Sequence, residues 1–134
     1  MTVNKDIYVS QGAGHEEIFT IETLTDPTLP YDQNTNPYIP LDLTVASIQM
    51  QVRQTFTSST VLLTATDLNG KFVKTDPTHG IFTLTISPTD TSLIKFNSLT
   101  ASYPYDIFIS FSASNVIKVA YGQFIIEREV TKIT

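Results

Sequence analysis

Apolar and polar positions alternate along this chain in short runs separated by turn-forming residues. The alternation is cleanest in Ile48-Gln49-Met50-Gln51-Val52-Arg53. An extended chain puts Ile48, Met50 and Val52 on one side and Gln49, Gln51 and Arg53 on the other. Phe82, Leu84 and Ile86 form a second inward set, with Thr83 and Thr85 outward, and Tyr105, Ile107, Ile109 and Phe111 form a third. Shorter strand-like patterns lie at 7–9, 18–24 and 61–66. Between 116 and 126 the phase slips, because Ile117, Val119 and Tyr121 share one parity while Phe124 and Ile126 have the other. One extra residue on a strand reverses the parity of everything after it, so the slip predicts a β-bulge near Gly122-Gln123, with Tyr121 inward.

The punctuation between these runs has its own chemistry. Asn69-Gly70 and His79-Gly80 are turn signals, since glycine tolerates the positive φ that tight turns need. The segment 87–94 is the one helical pattern, with Ser87 as N-cap and Pro88 at the first position, and it is two turns long at most. The stretch 25–40 carries Pro27, Pro30, Pro37 and Pro40 among Asp, Asn and Gln, together with Tyr31 and Tyr38, and reads as a long loop. Loops of that length inside compact domains are usually functional or disordered. Many short strands with regular turns predict an all-β sandwich or barrel, one domain over 1–134 with the long Pro-rich loop at 25–40.

Composition narrows the function. A chain of 134 residues is long enough for one core without metals or disulfides. Cysteine is absent, which removes disulfides, thiolate zinc sites and a cysteine nucleophile together. The net charge of −5 is mild and the eight Lys and Arg residues are scattered, so no nucleic-acid partner is expected. No apolar run approaches the roughly twenty residues that span a bilayer, and no membrane partner is expected. The start lacks the apolar core of a signal peptide, which predicts a protein that stays in the cytosol where it is made or travels within an assembly. A polar but weakly charged surface suits close contact with other proteins, and a Thr-rich solvent face of a sheet has the same composition.

Candidate chemistry is sparse. His15-Glu16-Glu17 is the densest titratable cluster, able in principle to hold a general base or a metal, but it reads more simply as a solvated strand entry. Asp76 could orient His79, although Asp-Pro followed by His-Gly is first of all a turn. There is no Gly-x-Ser-x-Gly elbow to expose a serine nucleophile. Gly12-Ala13-Gly14 lacks the Gly-Lys-Ser/Thr and the helix of a phosphate loop, and leads into the β-type Ile18-Phe19-Thr20-Ile21. Asp26, Asp32, Asp42, Asp67 and Asp76 do not have calcium-loop spacing and read as turn residues. The expectation is no catalytic residue, no metal and no cofactor.

Several stretches together resemble a family of small phage virion proteins related to the N-terminal domain of the upper baseplate protein of tailed phages. They are Tyr8-Val9-Ser10-Gln11-Gly12, Pro40-Leu41-Asp42-Leu43-Thr44 leading into Ile48 to Arg53, Gly80-Ile81-Phe82-Thr83-Leu84-Thr85-Ile86, Tyr105-Asp106-Ile107 and Tyr121-Gly122-Gln123-Phe124. Their order and spacing carry the match across most of the chain. The chain departs from the family pattern at Val45, where members usually carry Gly, and in the length of the 25–40 connection. The resemblance implies an immunoglobulin-like antiparallel β-sandwich with one short connecting helix, acting as a non-catalytic structural or adaptor part of a virion tail, baseplate or fibre attachment. Its partners would be other virion subunits, in a homo-oligomer or symmetric assembly made in the host cytoplasm. Tyr31, Tyr38 and Ile39 are the expected partner-binding residues. The alternative is a carbohydrate- or host-receptor-binding sandwich, for which Tyr8, Tyr31, Tyr38 and Tyr103 would supply stacking surfaces.

Overall fold

The computed structural model of the chain describes residues 2–130. From the N-terminus come β1 (Val3–Asn4), β2 (Ile7–Ser10), β3 (His15–Thr20) and β4 (Glu22–Leu24). There follow β5 (Tyr38–Pro40), β6 (Ser47–Arg53), β7 (Val61–Thr66), β8 (Phe72–Asp76) and β9 (Ile81–Ile86). The helix α1 (Pro88–Ser92) precedes two long strands, β10 (Thr100–Ser112) and β11 (Asn115–Glu127).

The protein is all-β, with two sheets enclosing one core. The larger sheet runs β1-β11-β10-β6-β7, and β2 also pairs with β11; the smaller runs β3-β9-β8, and β4 pairs with β5 alone. Both β1 and β2 run parallel to β11, while the other pairings are antiparallel. Ile48, Met50 and Val52 on β6, Tyr105, Ile107 and Ile109 on β10, and Phe82, Leu84 and Ile86 on β9 are all buried, as their alternation predicts. Phe111 is only partly buried at the core's edge. Phe82 stacks on Phe19 and takes the edge of Phe72, each at 5.3 Å between ring centroids. Such aromatic packing contributes beyond the area it buries.

The expected bulge exists, but three residues earlier than the glycine suggests. Ile107 pairs with Ala120 and Phe108 with Lys118, so Val119 is the extra residue. Val119 and Ala120 are consequently buried side by side, and Tyr121 turns outward rather than into the core. Gly122 serves another purpose: a Cβ there would run into the Lys5 carbonyl, where the N-terminal segment jogs between β1 and β2. That jog is fastened by Lys5 N–H to the Tyr121 carbonyl (3.0 Å), by Gln123 N–H to Asp6 Oδ1 (3.0 Å) and by the Tyr105 hydroxyl donating to the Lys5 carbonyl.

The helix forms where Ser87 and Pro88 predict it. Ser87 Oγ accepts from Asp90 N–H and Asp90 accepts from Ser87 N–H, a reciprocal capping box. Its buried Thr91 accepts from Gly12 N–H (2.9 Å) and donates to the Ala13 carbonyl (3.0 Å), pinning the β2–β3 turn. Gly12, Gly70 and Gly80 all have positive φ, as turn glycines should. The segment 25–40 differs most from expectation. It is the closed end of a hairpin, not an open loop: Tyr38–Pro40 is strand, paired with β4, and a bridge joins Asp32 to Asn36 beyond it. Proline lacks a donor, yet it keeps an acceptor, and the Pro37 carbonyl takes both the N–H (3.1 Å) and the hydroxyl (2.8 Å) of Thr25.

Candidate functional site

The titratable clusters lie apart from any common cleft. On β3, His15 and Glu17 share the face that bears Phe19, and Glu16 points to solvent. Glu17 meets His15 Nε2 and Lys5 Nζ, each at 2.8 Å, through different oxygens. Burial alone would raise the Glu17 pKa, but Lys5 and His15 hold it below the ordinary glutamate value. Lys5 also donates to the Ile18 carbonyl (2.8 Å) and sits 5.0 Å from the Phe19 ring centre. The cluster is thus an ionic clasp between the N-terminal segment and the smaller sheet. Asp76 and His79 pair at 3.0 Å on an exposed 3-10 turn between β8 and β9. Among the described residues, no three His, Asp or Glu side chains converge on a metal-sized space.

Two surfaces have the character of binding sites. The first is the hairpin tip. Asn36 is buried there although polar, and its side chain makes four hydrogen bonds. Oδ1 accepts from Asp26 N–H at 2.7 Å, while Nδ2 faces the carbonyls of Asp26, Leu29 and Pro30 at 3.0–3.1 Å. Asp26 and Asp32 complete the frame, Asp26 accepting from the Thr28 hydroxyl (2.6 Å) and N–H (3.0 Å) and Asp32 from Asn34 N–H (2.8 Å), and these bonds lower both pKa values. The frame displays Tyr31 stacked on Tyr38, centroids 4.9 Å apart, and Leu29 and Ile39 of the same hairpin are also exposed.

The second is the outward face of the larger sheet. Strand register aligns Thr64, Gln51, Asp106, Tyr121 and Asn4 in one row across five strands. A neighbouring row holds Thr66, Gln49, Phe108 and Lys118. Lys118 Nζ lies 3.7 Å from Asp106, and 5.8 and 5.7 Å from the ring centres of Phe108 and Tyr121. Arg53 donates to Gln51 Oε1 through Nε (3.2 Å) and one terminal nitrogen (2.6 Å), and to the Ser58 carbonyl through the other (2.8 Å). Asn4, Gln51, Arg53, Asp106, Lys118 and Tyr121, together with Phe56 from the β6–β7 loop, border an open cavity of about 460 Å³.

No family model and no curated protein matches this chain.

The candidate residues of the sequence therefore separate. Tyr31 and Tyr38 stack on one hairpin, and Ile39, the next residue of β5, is exposed on the hairpin's opposite face. Tyr8 stands alone on β2, 64% exposed. Tyr103 is buried in the core at 5% exposure, and its inward parity on β10 rules it out as a stacking surface. Burial also raises its pKa. Asp26, Asp32, Asp42 and Asp67 each accept a backbone N–H in or beside a turn, as turn residues do. The sheet-face cavity escaped the sequence reading. Its signals were the outward Gln51 and Arg53; the misplaced bulge concealed Tyr121.

Proposed function

We propose that this chain is a non-catalytic structural or adaptor component of a phage virion, in a tail, baseplate or fibre attachment, working through protein–protein contacts. The observation that carries the reading is the hairpin: a polar frame locked by Asn36 holds the Tyr31–Tyr38 pair and Ile39 at the surface before any partner arrives. Aromatic anchors supply much of the binding energy in many interfaces, and a preformed element loses little entropy on capture. The immunoglobulin-like reading is supported by strand order, with β11-β10-β6 in the places of G, F and C, and β3-β9-β8 in those of B, E and D.

The test is whether the chain is a stoichiometric part of purified particles of the phage that encodes it. Presence in particles, together with loss of incorporation by the Tyr31→Ala/Ile39→Ser double variant at unchanged melting temperature, is the expected result. A chain absent from particles overturns the virion assignment; incorporation indifferent to the double variant overturns the role of the hairpin.

A further inference from the structure

We infer that the open cavity on the outward face of the larger sheet binds an uncharged saccharide unit. Its volume of about 460 Å³ lies within the range of small-ligand sites and suits one or two sugar rings. Sugars present two chemistries at once, apolar C–H faces and pairs of adjacent hydroxyls. Phe56 and Tyr121 answer the first: Phe56 is 83% exposed and Tyr121 42%, so both rings offer free surface at the cavity. Side-chain amides answer the second, because each offers a donor and an acceptor side by side. Gln51, Gln123 and Asn4 border the same cavity. Gln51 is already oriented, since Arg53 occupies its Oε1 and leaves its NH₂ as the free donor.

Charge selects the class of sugar. Arg53 and Lys118 are the cations of the lining, Asp6 and Asp106 the anions, so the formal charges cancel. Lys118 also lies beside Asp106, and Asp6 accepts from Gln123 N–H, which fixes these charges within the protein. A charged ligand would have to desolvate without a net opposite field to compensate it, whereas a neutral polyol exchanges water for directed hydrogen bonds. Except for Phe56 and Asp6, the groups named here sit on strands, which hold binding geometry better than loops do.

This site is remote in sequence from the hairpin and independent of the proposed virion role. The direct test is titration of isotope-labelled protein with glucose, galactose, rhamnose and N-acetylglucosamine, with glucuronate and glucosamine as charged counterparts, followed by amide chemical shifts. At least one neutral sugar should bind in the millimolar range and shift amides around Gln51, Arg53, Asp106 and Tyr121. Phe56→Ala and Gln51→Ala should each weaken it about tenfold at unchanged melting temperature, while Tyr31→Ala leaves it alone. Absence of any shift with neutral sugars at tens of millimolar, shifts confined to other surfaces, or tighter binding of a charged counterpart would overturn the inference. None of those outcomes bears on whether the hairpin recruits a subunit.

Discussion

Gly122 leaves no space for even a methyl group. What a Cβ would meet is the backbone of Lys5, its carbonyl oxygen and carbon, so no change of rotamer can relieve the clash. The N-terminal jog would have to move away from β11, loosening the bonds from Gln123 N–H to Asp6 and from the Tyr105 hydroxyl to Lys5. Gly122→Ala should therefore cost about 1–3 kcal/mol in urea unfolding, the usual range for forced overpacking. Met50 tests the core more severely. Met50→Asp buries a carboxylate at a fully buried position on β6 and should abolish cooperative melting, whereas Gln49→Asp, one residue away but outward, should leave the melt nearly unchanged. The reverse order would mean that the register of β6 is off by one.

Among the elements, the hairpin depends on a single side chain. Asn36→Ala removes the donor facing three carbonyls and the acceptor for Asp26 N–H, in a segment that adds almost nothing to the central core. The expected signature is local: amides of Thr25 and Asp26 should exchange at least about tenfold faster, with little change in global melting, because the lost bonds hold the hairpin rather than the sandwich. A large drop in melting temperature would instead make the hairpin part of the core. The same element shows why some structure was illegible in the sequence. Strands β6, β9 and β10 could be read because alternation is a local property, and α1 because its capping box lies within four residues. The hairpin rests on Asn36 reaching back to Asp26, Leu29 and Pro30, a pattern that four prolines in the sequence conceal as a loop. For β11, parity showed that a residue was extra but not which one; Gly122 drew attention as a flexible residue, although what it provides is room. The sheet-face cavity needed pairing across five strands, which no single run of residues specifies.

At the scale of the molecule, two ionic contacts join segments that are distant in the chain. Glu17 with Lys5 and His15 joins the N-terminal segment to the smaller sheet, and Asp90 with Lys71 (2.7 Å) joins α1 to the start of β8. Burial by itself would raise both carboxyl pKa values, but the bonds from Lys5 and His15, and from Lys71 and Ser87, carry both below their ordinary values. A carboxyl whose folded pKa is depressed binds its proton more readily in the unfolded chain, so its contribution is complete above the unfolded value, near 4.5 for Glu17 and 3.8 for Asp90, and disappears as pH falls through the lower folded value. Asp26, Asp32 and Asp42 shift in the same direction through their turn bonds, but they are fully exposed and add little. The melting temperature should consequently decline on acidification beginning near those unfolded values and continuing below them. Glu17→Gln/Asp90→Asn should melt lower than the parent at neutral pH and show a shallower decline with acid, so that the two curves converge at the lowest pH. The measurement is a series of thermal melts from neutral to strongly acidic pH at constant ionic strength. Parallel curves for parent and double variant would show that acid sensitivity arises elsewhere, and that the clasp and the helix tie contribute no pH-dependent stability.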